Sequence, residues 1–193
     1  MAETPLEYVK KTHSESLSIQ KAFVDQYSSA LVNASKLIGD SIRKGGKLLI
    51  IGNGGSAADA QHIAAEMVGR MLIERKPLPA IALTTDSSNL TAIGNDYGYD
   101  QVFVRQVQAI AKPEDVLLAI STSGNSVNVL KAVEVAKAIG CKIIVLTGGG
   151  GGKLLGLGDV KLCVKEGPNS SRIQESHLFA LHSLVDVLDR FFI

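Results

Sequence analysis

Five short, mostly apolar runs, at 48–51, 80–83, 116–120, 143–146 and 160–164, constrain this chain more than any other feature. Leu48-Leu49-Ile50-Ile51 is too short for a helix and has no polar face, which is the pattern of a strand buried on both sides. Stretches of helical pattern, 127–139 among them, separate most of the runs. Parallel strands need crossovers of that kind. The alternation therefore predicts an α/β fold, a three-layer sandwich with about five parallel strands flanked by helices. Such sheets hold ligands beyond the carboxyl ends of their strands, near a topological switch point. Chemistry is to be sought in the loops that leave the strands.

Outside the alternating region, residues 5 to about 43 carry apolar side chains at roughly helical spacing and read as one or two amphipathic helices. Residues 171–192 read as a last helix. With 193 residues, 46% hydrophobic and 20% charged, the chain suits a single domain. Within it, 1–45 is an N-terminal helical segment available for oligomerisation, because the sheet has helices enough without it, and 46–193 is the α/β core. A net charge of +1 gives no global field toward nucleic acid or anionic lipid, so neither is expected as a partner. Cys141 and Cys163 lie in apolar, strand-like runs and are expected in the core rather than in a disulfide or a thiolate metal site. No signal-like or membrane-length apolar run occurs, and the expected location is the cytoplasm. The glycine run 148–152 has no side chains for chemistry and reads as a flexible loop.

Two of the loops suit a phosphate. Gly52-Asn53-Gly54-Gly55-Ser56 follows the first strand and opens a helix, so backbone can approach an anion at a positive dipole end. A merely structural tight turn has the same composition. Ser121-Thr122-Ser123-Gly124-Asn125-Ser126 follows the third strand and opens another helix, with four hydroxyls in six residues. Helix capping accounts for Ser126 but hardly for all four.

His62 and Glu66 stand four residues apart on the helix behind the first loop, so one cation or one substrate can meet both. A solvated helix face carrying the two residues by chance reads the same way. The last helix brings Gln174, Glu175, His177 and His182 among apolar neighbours, where a histidine is usually a core residue. Gln174 and His182 lie two turns apart, roughly 12 Å along the axis, so they share an ion only if their side chains converge.

Taken together, the glycine loop, His62 with Glu66, Gly94-Asn95-Asp96, the loop 121–126, and Arg172-Ile173-Gln174-Glu175 followed by His182 resemble the sugar isomerase (SIS) domain family. Within it they resemble the phosphoheptose isomerases, over nearly the whole chain. The resemblance implies a homotetramer with active sites shared between subunits, and one zinc per subunit held by His62, Glu66, Gln174 and His182. It implies phosphate contacts at Ser56, Ser121, Thr122, Ser123 and Ser126 and at the Gly54 backbone, with Asn53 and Asp96 near the sugar. It further implies interconversion of D-sedoheptulose 7-phosphate and D-glycero-D-manno-heptose 7-phosphate, for the heptose of lipopolysaccharide or other surface glycans. Ser171 stands where some members of the family carry an acidic residue.

An aldose–ketose isomerisation moves a proton between C1 and C2 through a cis-enediol, so it needs a base over that edge and an electrophile for the developing oxyanion. Glu66 and His182 suit the proton transfer, in either assignment of roles, and zinc suits the electrophile. A non-catalytic adaptor of the same fold, binding the replication initiator DnaA, is the alternative. The resemblance implies that such adaptors lack the glutamate and the late histidine, both of which this chain has.

Overall fold

The computed structural model describes residues 3–192. Helix α1 spans Pro5–Arg43 without a break. It starts where Thr4 and Glu7 form a reciprocal capping box around Pro5. The core follows as β1 (Leu48–Ile51), α2 (Gly55–Val68), β2 (Ala80–Ala82), α3 (Ser87–Tyr97) and, after a 3-10 turn, α4 (Val102–Ile110). It continues with β3 (Val116–Ser121), α5 (Val127–Ile139), β4 (Lys142–Gly148), β5 (Val160–Val164) and α6 (Ser170–Asp189).

All strand pairs are parallel, and the sheet order is β2-β1-β3-β4-β5. Because side chains alternate across a strand, Leu48 and Ile50 point to one face of the sheet and Leu49 and Ile51 to the other. The first face joins Leu118, Ile120, Ile144 and Leu146 to Ile38, Ile63, Leu181 and Leu184 of α1, α2 and α6. The second joins Leu117, Ala119 and Val145 to Phe103, Val107, Val129 and Val133 of α4 and α5. That makes the three layers the apolar runs predict.

Helix α1 divides its roles. From Ile19 onward it is part of the chain's own core, through Ile19, Phe23, Leu31, Ala34 and Ile38. Its first turns bury nothing, and Leu6, Tyr8, Val9 and Leu17 stay exposed. The expected separation into a helical segment and a core is therefore physical only for these first turns. The glycine run 148–152 is also more than a flexible loop. Gly148 N–H donates to Thr122 O and Leu154 N–H to Gly124 O, and a Cβ on Gly152 would lie 2.5 Å from Ser123 O. Gly152 thus packs its backbone against the 121–126 loop, while Cβ atoms on Gly148 and Gly151 would run into the side chains of Ile173 and Leu155.

Among the described residues no helix is long and apolar enough to cross a membrane. Cys141 and Cys163 are both buried and unbridged, as their apolar surroundings require.

Candidate active site

From β1 the chain crosses to β2 on one side, and β3 then returns to the other side of β1, so the switch point lies between the neighbours β1 and β3. Their carboxyl ends carry the two phosphate-suited loops. Helix α2 leaves toward one face of the sheet and α5 toward the other, which opens a crevice between the loops.

The loops are tied together by their amides. Asn53 Nδ2 donates to Asn128 Oδ1 and Asn128 Nδ2 donates to Asn53 Oδ1, both at 2.9 Å. Asn128 Oδ1 also accepts from Val129 N–H, and Tyr99 Oη reaches Asn53 Oδ1 at 3.4 Å. Asn53 is thus committed to holding the crevice's shape, and Asn128 is a site residue that sequence reasoning misses. Its only local signal is an amide in the first turn of a helix whose neighbours are apolar.

Helices α1, α3 and α6 are capped at their N-termini by Thr4, Asp86 and Asn169. The two helices that open at the crevice have no side-chain cap. Ser126 occupies the N-cap position of α5, yet its hydroxyl pairs with Ser121 Oγ at 3.1 Å. Ser121 Oγ in turn accepts from Gly124 N–H. Ser56 is buried, with the backbone of Gly52 pressed so close that a Cβ there would lie 2.8 Å from it. Ser123 and Gly54 are exposed and Thr122 is half-buried. Uncapped first turns flanked by hydroxyls make a neutral cradle for an anion. Asp96 stands outside it, exposed at the end of α3, where Asn95 Nδ2 donates to it at 2.8 Å.

Helices α2 and α6 run side by side in the same direction. At their upper ends Gln174 lies against Gly55, where a Cβ would come within 2.5 Å of the Gln174 amide. Two turns down, His62 Nε2 faces His182 Nε2 at 3.4 Å, the rings edge to face with centroids 4.9 Å apart. Glu66 Oε1 lies 3.3 Å from the same His62 nitrogen. The structure thus brings His62, Glu66 and His182 together and leaves Gln174 with the glycine loop.

Two ring nitrogens at hydrogen-bond distance need a proton or a cation between them. Donors bound tetrahedrally to zinc at about 2.0–2.1 Å stand about 3.3 Å from one another, so the His62–His182 and His62–Glu66 pairs each fit zinc in donor type and separation. The three form a chain rather than a finished cage, and no closed metal-holding group of His, Cys, Asp and Glu occurs among the described residues.

Between the two levels sits Asp59, on the same side of α2, with Oδ2 buried and without a hydrogen-bond partner. Burial raises its pKa, against the opposing pull of His62. His177, by contrast, is a core histidine: it is fully buried, Nε2 lies 3.0 Å from Thr147 O, and burial lowers its pKa to about 4. Beside His182 the surface opens into a cavity of about 380 Å³ walled by Met71, Leu72 and Phe179.

The chain matches the SIS domain family over residues 13–148. It is 52% identical to the phosphoheptose isomerase of Aliarcobacter butzleri over 166 residues, covering 86% of this chain and 87% of that one. It is 48% identical to that of Campylobacter concisus over 192 residues, covering 100% and 97%. Two solved structures superpose on nearly its full length. The phosphoheptose isomerase GmhA from Neisseria gonorrhoeae has a TM-score of 0.89 at 43% identity, covering 97% of this chain and 100% of that one. The phosphoheptose isomerase from Francisella tularensis has 0.92 at 39%, covering 97% and 99%. At 16% identity and a TM-score of 0.63, the Vibrio vulnificus NanR protein shares the fold alone. The match in sequence and in architecture, end to end, makes this chain a member of the SIS domain family and, within it, of the phosphoheptose isomerases.

Proposed function

We propose that this protein isomerises D-sedoheptulose 7-phosphate to D-glycero-D-manno-heptose 7-phosphate, the heptose precursor of lipopolysaccharide or another surface glycan. The observation that carries the reading is the spacing of its two half-sites. From Gly55 to His62 there are about 10 Å of helix, on the order of the extended length of seven carbons ending in a phosphate ester. A phosphate seated on Ser56, Ser121, Thr122, Ser123 and Ser126 would leave C1 and C2 beside Glu66 and His182.

In the ketose, Glu66 takes a proton from C1 as His182 gives one to the C2 oxygen, forming the cis-enediol. Return of a proton to C2 and loss of the C1 hydroxyl proton then yield the aldose. The roles of the two residues can be exchanged. His62, Glu66 and His182 would hold a zinc ion, one per subunit, with Gln174 as the fourth expected ligand. When bound, the metal supplies Lewis-acid polarisation of the carbonyl. The adaptor reading has no use for Glu66 and His182, which here both approach Nε2 of His62.

The exposed first turns of α1 and the apolar wall of Leu72 and Phe179 beside His182 support a homotetramer whose subunits close one another's sites. A phosphorylated sugar as substrate supports a cytoplasmic location. The deciding experiment is incubation of the purified protein with sedoheptulose 7-phosphate. An aldose heptose 7-phosphate is expected, and its absence with zinc present overturns the reading.

A further inference from the structure

Arg75 and Asp189 form an ion pair sealed inside the protein, Nε to Oδ1 at 2.9 Å, each side chain 1% exposed. Neither reaches the candidate site. Yet Arg75 Nη2 donates to Glu66 O at 2.9 Å, and Nη1 to Met67 O and Gly69 O at 2.7 and 3.0 Å. These carbonyls end α2, where the helix offers them no partners of its own. Asp189 is the last residue of α6, seven after His182 and therefore on the same side of the helix.

Arg75's bonds to the carbonyls stabilise the end of α2, but stability does not explain why its partner is a carboxylate. A carboxylate at a helix C-terminus meets the negative end of the dipole, and Asp189 Oδ2 is buried without a partner. Apolar residues of similar volume commonly replace such a buried pair without loss of stability. What the pair does supply is register. Helices α2 and α6 meet at Gly55 with Gln174, at His62 with His182, and finally through Arg75, which grips the backbone of Glu66 on one helix and Asp189 on the other.

We propose that Arg75 and Asp189 are positioning residues that set the height of α2 against α6, and through it the spacing of Glu66 and His62 from His182. The inference rests on the isomerase reading and deepens it. A sliding of one helix by about 1 Å would separate proton-transfer partners without disturbing the phosphate cradle two turns away, and misplacement on that scale costs roughly 100-fold in rate.

The test is the charge-free double variant Arg75→Met with Asp189→Leu, alongside Arg75→Lys, which can keep the ion pair but not the fork onto the carbonyls of α2. Turnover and KM on sedoheptulose 7-phosphate, inhibition by inorganic phosphate, and thermal melting are measured on the full-length protein. The double variant is expected to stay folded but to melt below the wild type, since the carbonyls of Glu66, Met67 and Gly69 lose their donor, to keep its phosphate inhibition constant within about twofold, and to lose roughly 10- to 100-fold in kcat. Arg75→Lys shifts the same way by less. A folded double variant with near wild-type kcat overturns the proposal, as does a kcat loss matched by an equal loss of phosphate binding. Should the double variant not fold, Arg75→Lys decides by the same split between kcat and phosphate binding. Lack of turnover by the wild-type protein would instead overturn the isomerase reading itself.

Discussion

Glu66 and His182 show how much a residue's meaning depends on what stands beside it. Each is ordinary in type, and the spacing of His62 and Glu66 was legible as one helix face. That His182, 120 residues on, would meet His62 was legible only through the family likeness, because contacts between distant segments leave no local pattern. The same holds for Asn53 with Asn128 and Arg75 with Asp189, which lie 75 and 114 residues apart. Glu66→Gln keeps the side chain's size and removes the carboxylate that accepts a proton. Its kcat is expected to fall by roughly 100- to 10,000-fold while inorganic phosphate still inhibits. His182→Ala should fall comparably, and the double variant by far less than the product of the two. A chelator should abolish wild-type activity and added zinc restore it, with Glu66→Gln inactive throughout. Near-normal turnover by zinc-loaded Glu66→Gln would exclude the proposed base.

At the scale of elements, the strands were the easiest to read, since β1, β3 and β4 are buried almost throughout and their sequences are correspondingly apolar. Helix α3 was the hardest. Helix α3 buries no residue at all and carries Asn89, Gly94 and Asn95, so neither hydrophobic period nor propensity marks it. The 121–126 loop was legible as a hydroxyl cluster, whereas the role of the glycines that brace it became visible only once Gly152 was seen packed on Ser123 O. If this loop holds phosphate equally in ground and transition states, Ser123→Ala and Ser126→Ala should each raise KM with little change in kcat. About 1.5 to 3 kcal/mol, the worth of a hydrogen bond to a charged group, corresponds to roughly 10- to 150-fold. Steady-state kinetics showing a pure kcat defect would count against the cradle.

For the whole molecule, two observables integrate these details. His177 titrates near 4 in the folded protein because burial disfavours its cation, against 6.5 when exposed. Between those values the unfolded chain binds more protons than the native one, so stability falls as pH falls through that window, by on the order of 3 kcal/mol from this group. Urea titrations from pH 7 to pH 4 should show the slope, and His177→Gln, whose amide can still donate to Thr147 O, should flatten it. The second observable is assembly. With Leu6, Tyr8, Val9 and Leu17 unpartnered on α1, sedimentation at micromolar concentration should find a tetramer; a stable monomer would remove the shared site.

The parallel run of α2 and α6 has one more consequence, for which sugars this enzyme turns away. The proposed phosphate cradle at one end and proton-transfer pair at the other, fixed to two rigid helices, would measure the distance between a sugar's phosphate and its carbonyl. A five-carbon ketose 5-phosphate anchored by its phosphate would hold its carbonyl roughly 2.5 Å short of Glu66 and His182. Such sugars should occupy the site as idle competitors, with inhibition constants near the heptose KM and no turnover of their own. Discrimination would then lie in kcat and hardly at all in binding, and a cell rich in pentose phosphates would slow this enzyme simply by filling it.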